Sequence, residues 1–178
     1  MSLQRREWLW AAGVAAMAAA GGAGYAVWKQ RQDDGSFAAA EAALWRSRFE
    51  APDGPSWSPA DFDGRALIVN FWATWCPPCL REMPALERFQ RSHGARGWQV
   101  IGLAADKLLP VRDYLKRAPV SFPIGMIGLE GIELSRQLGN RIGGLPFTLV
   151  IDSRRRVVAR QLGETTDAHL TRWAAEKR

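Results

Sequence analysis

Cys76 and Cys79 are the only two cysteines in a chain of 178 residues, and two prolines, Pro77 and Pro78, separate them. Two thiols at that spacing suit electron exchange. A structural disulfide framework uses more cysteines, and structural zinc takes four ligands. His93 and His169, the only histidines, stand apart from each other and from any second cysteine pair. The competing reading is a pair of reduced cysteines that merely pack.

The position of the pair decides its chemistry. Ala66 to Ala73 is a short apolar run, β-branched enough for a buried strand, and helical spacing follows Thr74 and Trp75. Cys76 therefore falls at the N-cap of a helix, where free N–H groups and the macrodipole favour negative charge. A cysteine there has a lowered pKa and is the attacking thiolate. Cys79, one turn inward, is the shielded resolving thiol. Pro77 suits the first helical position. Pro78 removes one N–H, which leaves the Cys79 amide as the donor to the Cys76 sulfur.

Glu82 stands three residues after Cys79, on the same helical face. Burial raises a carboxyl pKa, and such a group accepts the Cys79 proton during resolution. The competing reading is a solvated glutamate paired with Arg81 or Arg88.

The remaining elements are read around this junction. Arg5 and Arg6 precede 21 uncharged residues, Trp8 to Trp28, with Lys29 and Arg31 beyond. As a helix the stretch is about 31 Å long, enough to cross a bilayer core. Trp8, Trp10, Tyr25 and Trp28 lie near its ends, where interfacial aromatics belong. A retained anchor competes with a cleaved signal, for which Ala18-Ala19-Ala20 offers a processing site. Arg5-Arg6-Glu7-Trp8-Leu9 loosely matches a twin-arginine export signal. Flanking basic residues number two on each side and do not orient the span.

Residues 1–32 are thus a signal or anchor segment, and 33–178 form one domain. The net charge is +6 for the whole chain but +3 from Asp33 onward, too modest and dispersed for nucleic acid. Asp33 to Ser36 reads as a polar linker, and Asp53-Gly54 as a hairpin turn with Trp57 on the returning strand. Trp98–Ala105 and Phe122–Met126 are strands. Helices are expected to about Ser92 after the cysteines, over Val111–Arg117, and over Ile132–Leu138. Phe147–Ile151 and Val157–Leu162 make a final hairpin across a solvated turn at Arg154 to Arg156, before a helix capped by Asp167. The order gives an α/β layered sheet.

Three stretches together resemble the TlpA/ResA family of membrane-anchored, thioredoxin-like thiol–disulfide oxidoreductases. They are Asn70-Phe71-Trp72-Ala73-Thr74-Trp75-Cys76-Pro77-Pro78-Cys79, then Glu82-Met83-Pro84, then Gly144-Leu145-Pro146-Phe147-Thr148. The resemblance covers about Trp45 to Arg172. It implies a thioredoxin-like fold, a central mixed β-sheet flanked by helices, behind a single N-terminal span. It also implies a cis Pro146 facing the disulfide, with the backbone of Leu145 pairing with substrate. Trp75, Pro77, Pro78, Leu145 and Pro146 then form the substrate-binding surface. Glu82 occupies the place of a family glutamate, while Asn70 stands where thioredoxin carries a titrating aspartate.

The resemblance further implies a periplasmic domain tethered to the inner membrane, with release to the periplasm after signal cleavage as the alternative. No cofactor is required beyond the Cys76–Cys79 pair. The partners are periplasmic protein thiols and disulfides, apocytochrome c or copper-site proteins among them, and a membrane electron donor. Phe147 stands where the cytochrome-maturation branch usually has glutamate. A copper-delivery module using the same thiolates is the rival class, though related chaperones space their cysteines further apart and add a histidine. Val69 stands where the peroxidase pattern needs a proline.

Overall fold

The computed structural model describes residues 3–176, with side chains from residue 21 onward except those of Arg31, Asp33 and Asp34. The chain divides into two compact units, Met1–Ala39 and Ala40–Arg178. Helix α1 is Leu3–Arg46. The expected linker at Asp33 to Ser36 is helical, because one glycine is its only poor helix former beyond the two aspartates and alanines follow it. Among the described residues no helix is long and apolar enough to cross a membrane. The expected span Trp8 to Trp28 falls, as far as Ala20, on residues whose side chains lie outside that description.

In the second unit the chain builds a five-stranded sheet in the order β3-β2-β1-β4-β5. The strands are β1 Ala66–Trp72, β2 Trp98–Ala104, β3 Ile124–Met126, β4 Phe147–Ile151 and β5 Val157–Leu162. β1, β2 and β3 run parallel, β4 lies antiparallel to β1, and β5 antiparallel to β4. Every residue of β1 and β2 is buried, as expected of parallel strands covered on both faces.

Side chains of a strand alternate between the two faces, and β1 shows what that does. Leu67, Val69 and Phe71 enter one core with Leu44, Leu103, Leu138 and Leu149. Ile68 and Trp72 enter the other, with Met83, Leu86, Phe89, Leu170 and Trp173. Asn70 shares the parity of Ile68 and Trp72, so this polar side chain faces the helix that carries Glu82. Its cross-strand neighbours are Gly102 and Thr148.

Helix α2, Pro77–His93, buries Cys79, Glu82, Met83, Leu86 and Phe89 along one stripe. α3 is Leu108–Arg117, α4 Gly131–Gln137 and α5 Asp167–Glu176. α3 starts three residues earlier than expected, since Pro110 in the first turn deletes an N–H that has no helical partner anyway. At the start of α5 the Thr166 hydroxyl, not Asp167, accepts from the His169 amide at 3.4 Å. The Asp167 carboxylate instead takes two bonds from Arg88, at 2.8 and 3.1 Å.

The hairpin at Asp53-Gly54 is present, with Phe49 and Trp57 paired antiparallel. The arginine turn is less free than expected. Arg155 adopts a left-handed φ of 65°, pairs with Asp63 at 2.8 Å, and lies 4.6 Å above the Trp45 ring.

One buried carboxylate ties β2 to the loop that presents the cysteines. Asp106, just past β2, accepts from the Thr74 amide at 2.8 Å and the Thr74 hydroxyl at 2.5 Å. Its other oxygen accepts from the Lys107 amide at 2.7 Å. Removing it leaves these donors without partners, which costs on the order of 1–3 kcal/mol. Asp106→Ala is expected to lower the urea midpoint accordingly, with Asp106→Asn intermediate. An unchanged midpoint would mean that water replaces the clamp at no cost.

Candidate redox site

The site is assembled where β1 ends. Beyond Trp72 the chain turns through Ala73 to Trp75 and enters α2 at Pro77, with Cys76 as N-cap in extended conformation. Cys76 and Cys79 are joined by a disulfide, their Cα atoms 5.3 Å apart. The Cys79 amide donates to the Cys76 sulfur at 3.3 Å. That donor is the one Pro78 leaves available. In the reduced form the same sulfur is the thiol or thiolate, and the N–H then stabilises its charge.

Exposure separates the two residues only slightly: Cys76 is 5% exposed and Cys79 fully buried. Trp75 beside Cys76 is 55% exposed, whereas Trp72 is buried in the core. Pro77 is exposed and Pro78 half-buried.

The second wall comes from β4. Phe71 pairs with Phe147, so the chain leaving β1 and the chain entering β4 meet at one end of the sheet. The Leu145–Pro146 peptide bond is cis. Leu145 packs against the cluster that contains both cysteines, and Pro146 is buried. The Gly163 amide donates to the Pro146 carbonyl at 2.9 Å. Thus the chain that leaves β1 toward the cysteines and the Leu145–Pro146 bond that leads into β4 lie at the same end of the sheet.

Glu82 is 1% exposed, and neither basic neighbour pairs with it. Arg81 bridges to Glu164 at 2.8 Å and Arg88 to Asp167 at 2.8 Å. The Glu82 carboxylate accepts from the Asn70 amide at 2.6 Å and from the Thr165 amide at 2.5 Å. Asn70 also donates to the Thr148 hydroxyl at 3.0 Å, which meets the Thr165 hydroxyl at 3.0 Å.

Burial pushes the Glu82 pKa up, and the bonds from Thr165 and Asn70 pull it back. The nearby Glu164 charge adds to the rise, and the balance is about 7. A carboxyl poised there exchanges protons readily near neutral pH.

Asn70, Thr148 and Thr165 were not apparent as partners from sequence. The signal was there in part: Asn70 interrupts the run Ala66 to Ala73, and Thr148 sits in an apolar strand. Buried polar side chains in strands need partners, and Glu82 was the nearest candidate. Thr165 gives no such signal, because it acts mainly through its backbone.

The raised Glu82 pKa has a sign. The folded protein holds the proton more tightly than the unfolded chain, whose glutamate titrates near 4.5. Stability is fully present below about pH 4.5 and declines as pH rises toward about 7, by about 3 kcal/mol in total. Urea unfolding of the oxidised protein at pH 4.5 and pH 8 is expected to show this decline. Glu82→Gln is expected to reduce it by about that amount. Parallel declines in the two proteins would place the titrating group elsewhere.

Comparison with known proteins agrees with this arrangement. The family model described as Redoxin matches residues 39–175. The thiol-disulfide oxidoreductase ResA of Bacillus anthracis is 31% identical over 111 residues, 62% of each chain. The ResA of Halalkalibacterium halodurans is 29% identical over 168 residues, 94% of this chain and 92% of that one. This chain is thus matched over less than two thirds of the length of the first of these relatives. Among solved structures, a thioredoxin-family thiol:disulfide interchange protein from Chlorobium tepidum superposes with a TM-score of 0.66 and 32% identity. It covers 73% of this chain and 91% of its own. StoA from Bacillus subtilis, at 20% identity and a TM-score of 0.59 over 72% and 95% of the two chains, shares the fold. The chain belongs to the Redoxin family and is TlpA/ResA-like within it.

Proposed function

We propose that the protein is an envelope thiol–disulfide oxidoreductase that reduces disulfides in periplasmic proteins through the Cys76–Cys79 pair. The observation that carries this reading is the N-cap hydrogen bond from the Cys79 amide to the Cys76 sulfur, in a helix that buries Glu82 one turn further on.

The reaction starts from the dithiol. The Cys76 thiolate attacks one sulfur of a substrate disulfide, and the substrate S–S bond breaks. One substrate sulfur leaves as a thiolate and takes up a proton, while the other remains bonded to Cys76. Cys79 then gives its proton to the Glu82 carboxylate and attacks the Cys76 sulfur. The Cys76–Cys79 bond forms, and the second substrate thiol is released with a proton. Two electrons have moved to the substrate, and a dithiol donor at the membrane must return them.

Trp75, Pro77, Pro78, Leu145 and Pro146 form the surface against which the substrate chain lies. The stretch from Trp8 to Trp28 holds the domain to the inner membrane with Asp33 onward in the periplasm; processing at Ala18-Ala19-Ala20 would release it there. Support for this topology comes from the uncharged stretch itself and from the need of disulfide chemistry for an oxidising compartment. Apocytochrome c and copper-site proteins are the substrate classes that the family likeness suggests.

Three outcomes test the reading. Cys76→Ser is expected to abolish reduction of a disulfide substrate, whereas Cys79→Ser still attacks once and accumulates mixed disulfides on Cys76. Adducts on neither variant would end the proposal.

Glu82→Gln is expected to slow single-turnover resolution near neutral pH while leaving the first attack largely intact. General-base contributions run to ~10²–10⁴-fold, and water substitutes in part here, so about tenfold is expected. Superimposable pH profiles would leave proton transfer to water alone.

A reporter active only in the cytoplasm, fused after Arg178, is expected to be silent in cells. Strong activity would overturn the topology and the compartment together.

A further inference from the structure

A cavity of about 410 Å³ opens between the hairpin of Phe49 and Trp57 and the segment that joins α3 to β3. Phe122, Pro123 and Ile124 line it at the entrance of β3. β3 runs parallel to β1 through β2, and the cysteines follow the exit of β1. The cavity therefore lies toward the other end of the sheet from the disulfide, and the exchange reaction makes no use of it.

Its walls are held in place by the fold. The Trp57 indole N–H donates to the Ile124 carbonyl at 3.0 Å, which ties the hairpin to β3. The Arg112 Nε–H donates to the Pro52 carbonyl at 2.6 Å, which ties the same hairpin to α3. Pro52, Pro55, Pro119 and Pro123 complete a lining whose backbone has little freedom. Preformed, mostly apolar cavities of roughly 300–1,000 Å³ are the usual form of small-molecule sites.

The lining also selects the charge of an occupant. Proline has no N–H to donate, and the Trp57 and Arg112 donors are already spent. The Pro55 and Pro119 carbonyls accept no backbone donor among the described residues. Asp53, also in the lining, is exposed and so stands at the mouth. One of its oxygens lies 3.2 Å from the Arg112 Nε, but that N–H is directed at Pro52. The carboxylate thus keeps its capacity to accept. An anion entering here meets few donors, whereas an ammonium group meets acceptors.

We infer that this cavity is a binding site for a small organic cation: an aliphatic or aromatic body carrying a protonated amine that pairs with Asp53. The site stands apart from disulfide exchange and does not rest on that reading.

The test uses the full chain in nanodiscs of zwitterionic lipid, with fluorotryptophan in place of tryptophan, and follows the fluorine resonances. The Trp57 resonance is the one that Trp57→Phe removes. The probes share one body and differ in charge: phenethylammonium, phenethyl alcohol and phenylpropanoate, each at a free concentration fixed by dialysis.

Phenethylammonium is expected to shift the Trp57 resonance saturably. It binds about threefold more tightly than the alcohol, the size of one exposed ion pair, and phenylpropanoate binds most weakly. Asp53→Asn, at an exposed turn position, is expected to bring amine and alcohol to equal affinity. Val120→Phe, which fills the cavity, is expected to weaken both about tenfold. No saturable Trp57 shift with any probe would overturn the site. Equal binding of amine and alcohol by the unaltered protein would make it a plain apolar groove, and tightest binding of the acid an anion site; either result overturns the assignment. So would an amine preference that Asp53→Asn leaves intact. None of these results bears on disulfide exchange, which the cysteine variants test separately.

Discussion

The hydrogen bond from the Cys79 amide to the Cys76 sulfur is the contact on which the rest of the arrangement depends. A thiol becomes a nucleophile only when its anion is favoured, and the start of a helix is one of the few places where backbone donors are free to do this. Keeping the sulfur there requires a strand that ends at a fixed height, a turn that does not drift, and a helix that starts at once. β1 provides the first, buried on both faces. The Asp106 carboxylate, bonded to Thr74, holds the second. Pro77 sets the third, by fixing φ at the first helical residue.

The same geometry divides the labour between two groups of opposite need. Cys76 sits at the surface end of α2, at the helix N-cap, a position that in general favours negative charge. Cys79 lies inside, and burial in general disfavours the charged form of a thiol. Glu82 is buried one turn on, its carboxylate held by Asn70 and Thr165. Burial alone would keep Glu82 protonated at neutral pH, and two donors alone would keep it ionised. Their opposition leaves it close to balance, at about 7. The Arg81–Glu164 pair leaves the buried carboxylate without a cation of its own, and this preserves that balance.

Much of this was legible in the sequence, and the reasons differ by residue. The N-cap position of Cys76 and the donor role of the Cys79 amide follow from local rules, since proline chemistry fixes which N–H groups exist. The exposure of Trp75 follows from its place in the turn between strand and helix. What sequence could not supply was partnership across the sheet. Asn70, Thr148 and Thr165 lie up to 95 residues apart in the chain, and only the register of β1 against β4 brings the first two together. The helical residues 33–36 and the earlier start of α3 are local misreadings. Alanine flanks carry the helix through the aspartates and glycine of residues 33–36, and the first turn of α3 accommodates Pro110.

The central claim is that Cys76 is the ionised, attacking thiol and Cys79 its shielded partner. The most direct measurement is alkylation of the reduced protein across pH, with the label at each cysteine quantified by peptide mass spectrometry. The account predicts that Cys76 is labelled first, with a midpoint below the ordinary thiol value of about 8.5, and that Cys79 is labelled only slowly. Faster labelling of Cys79, or a Cys76 midpoint at or above that value, would contradict it.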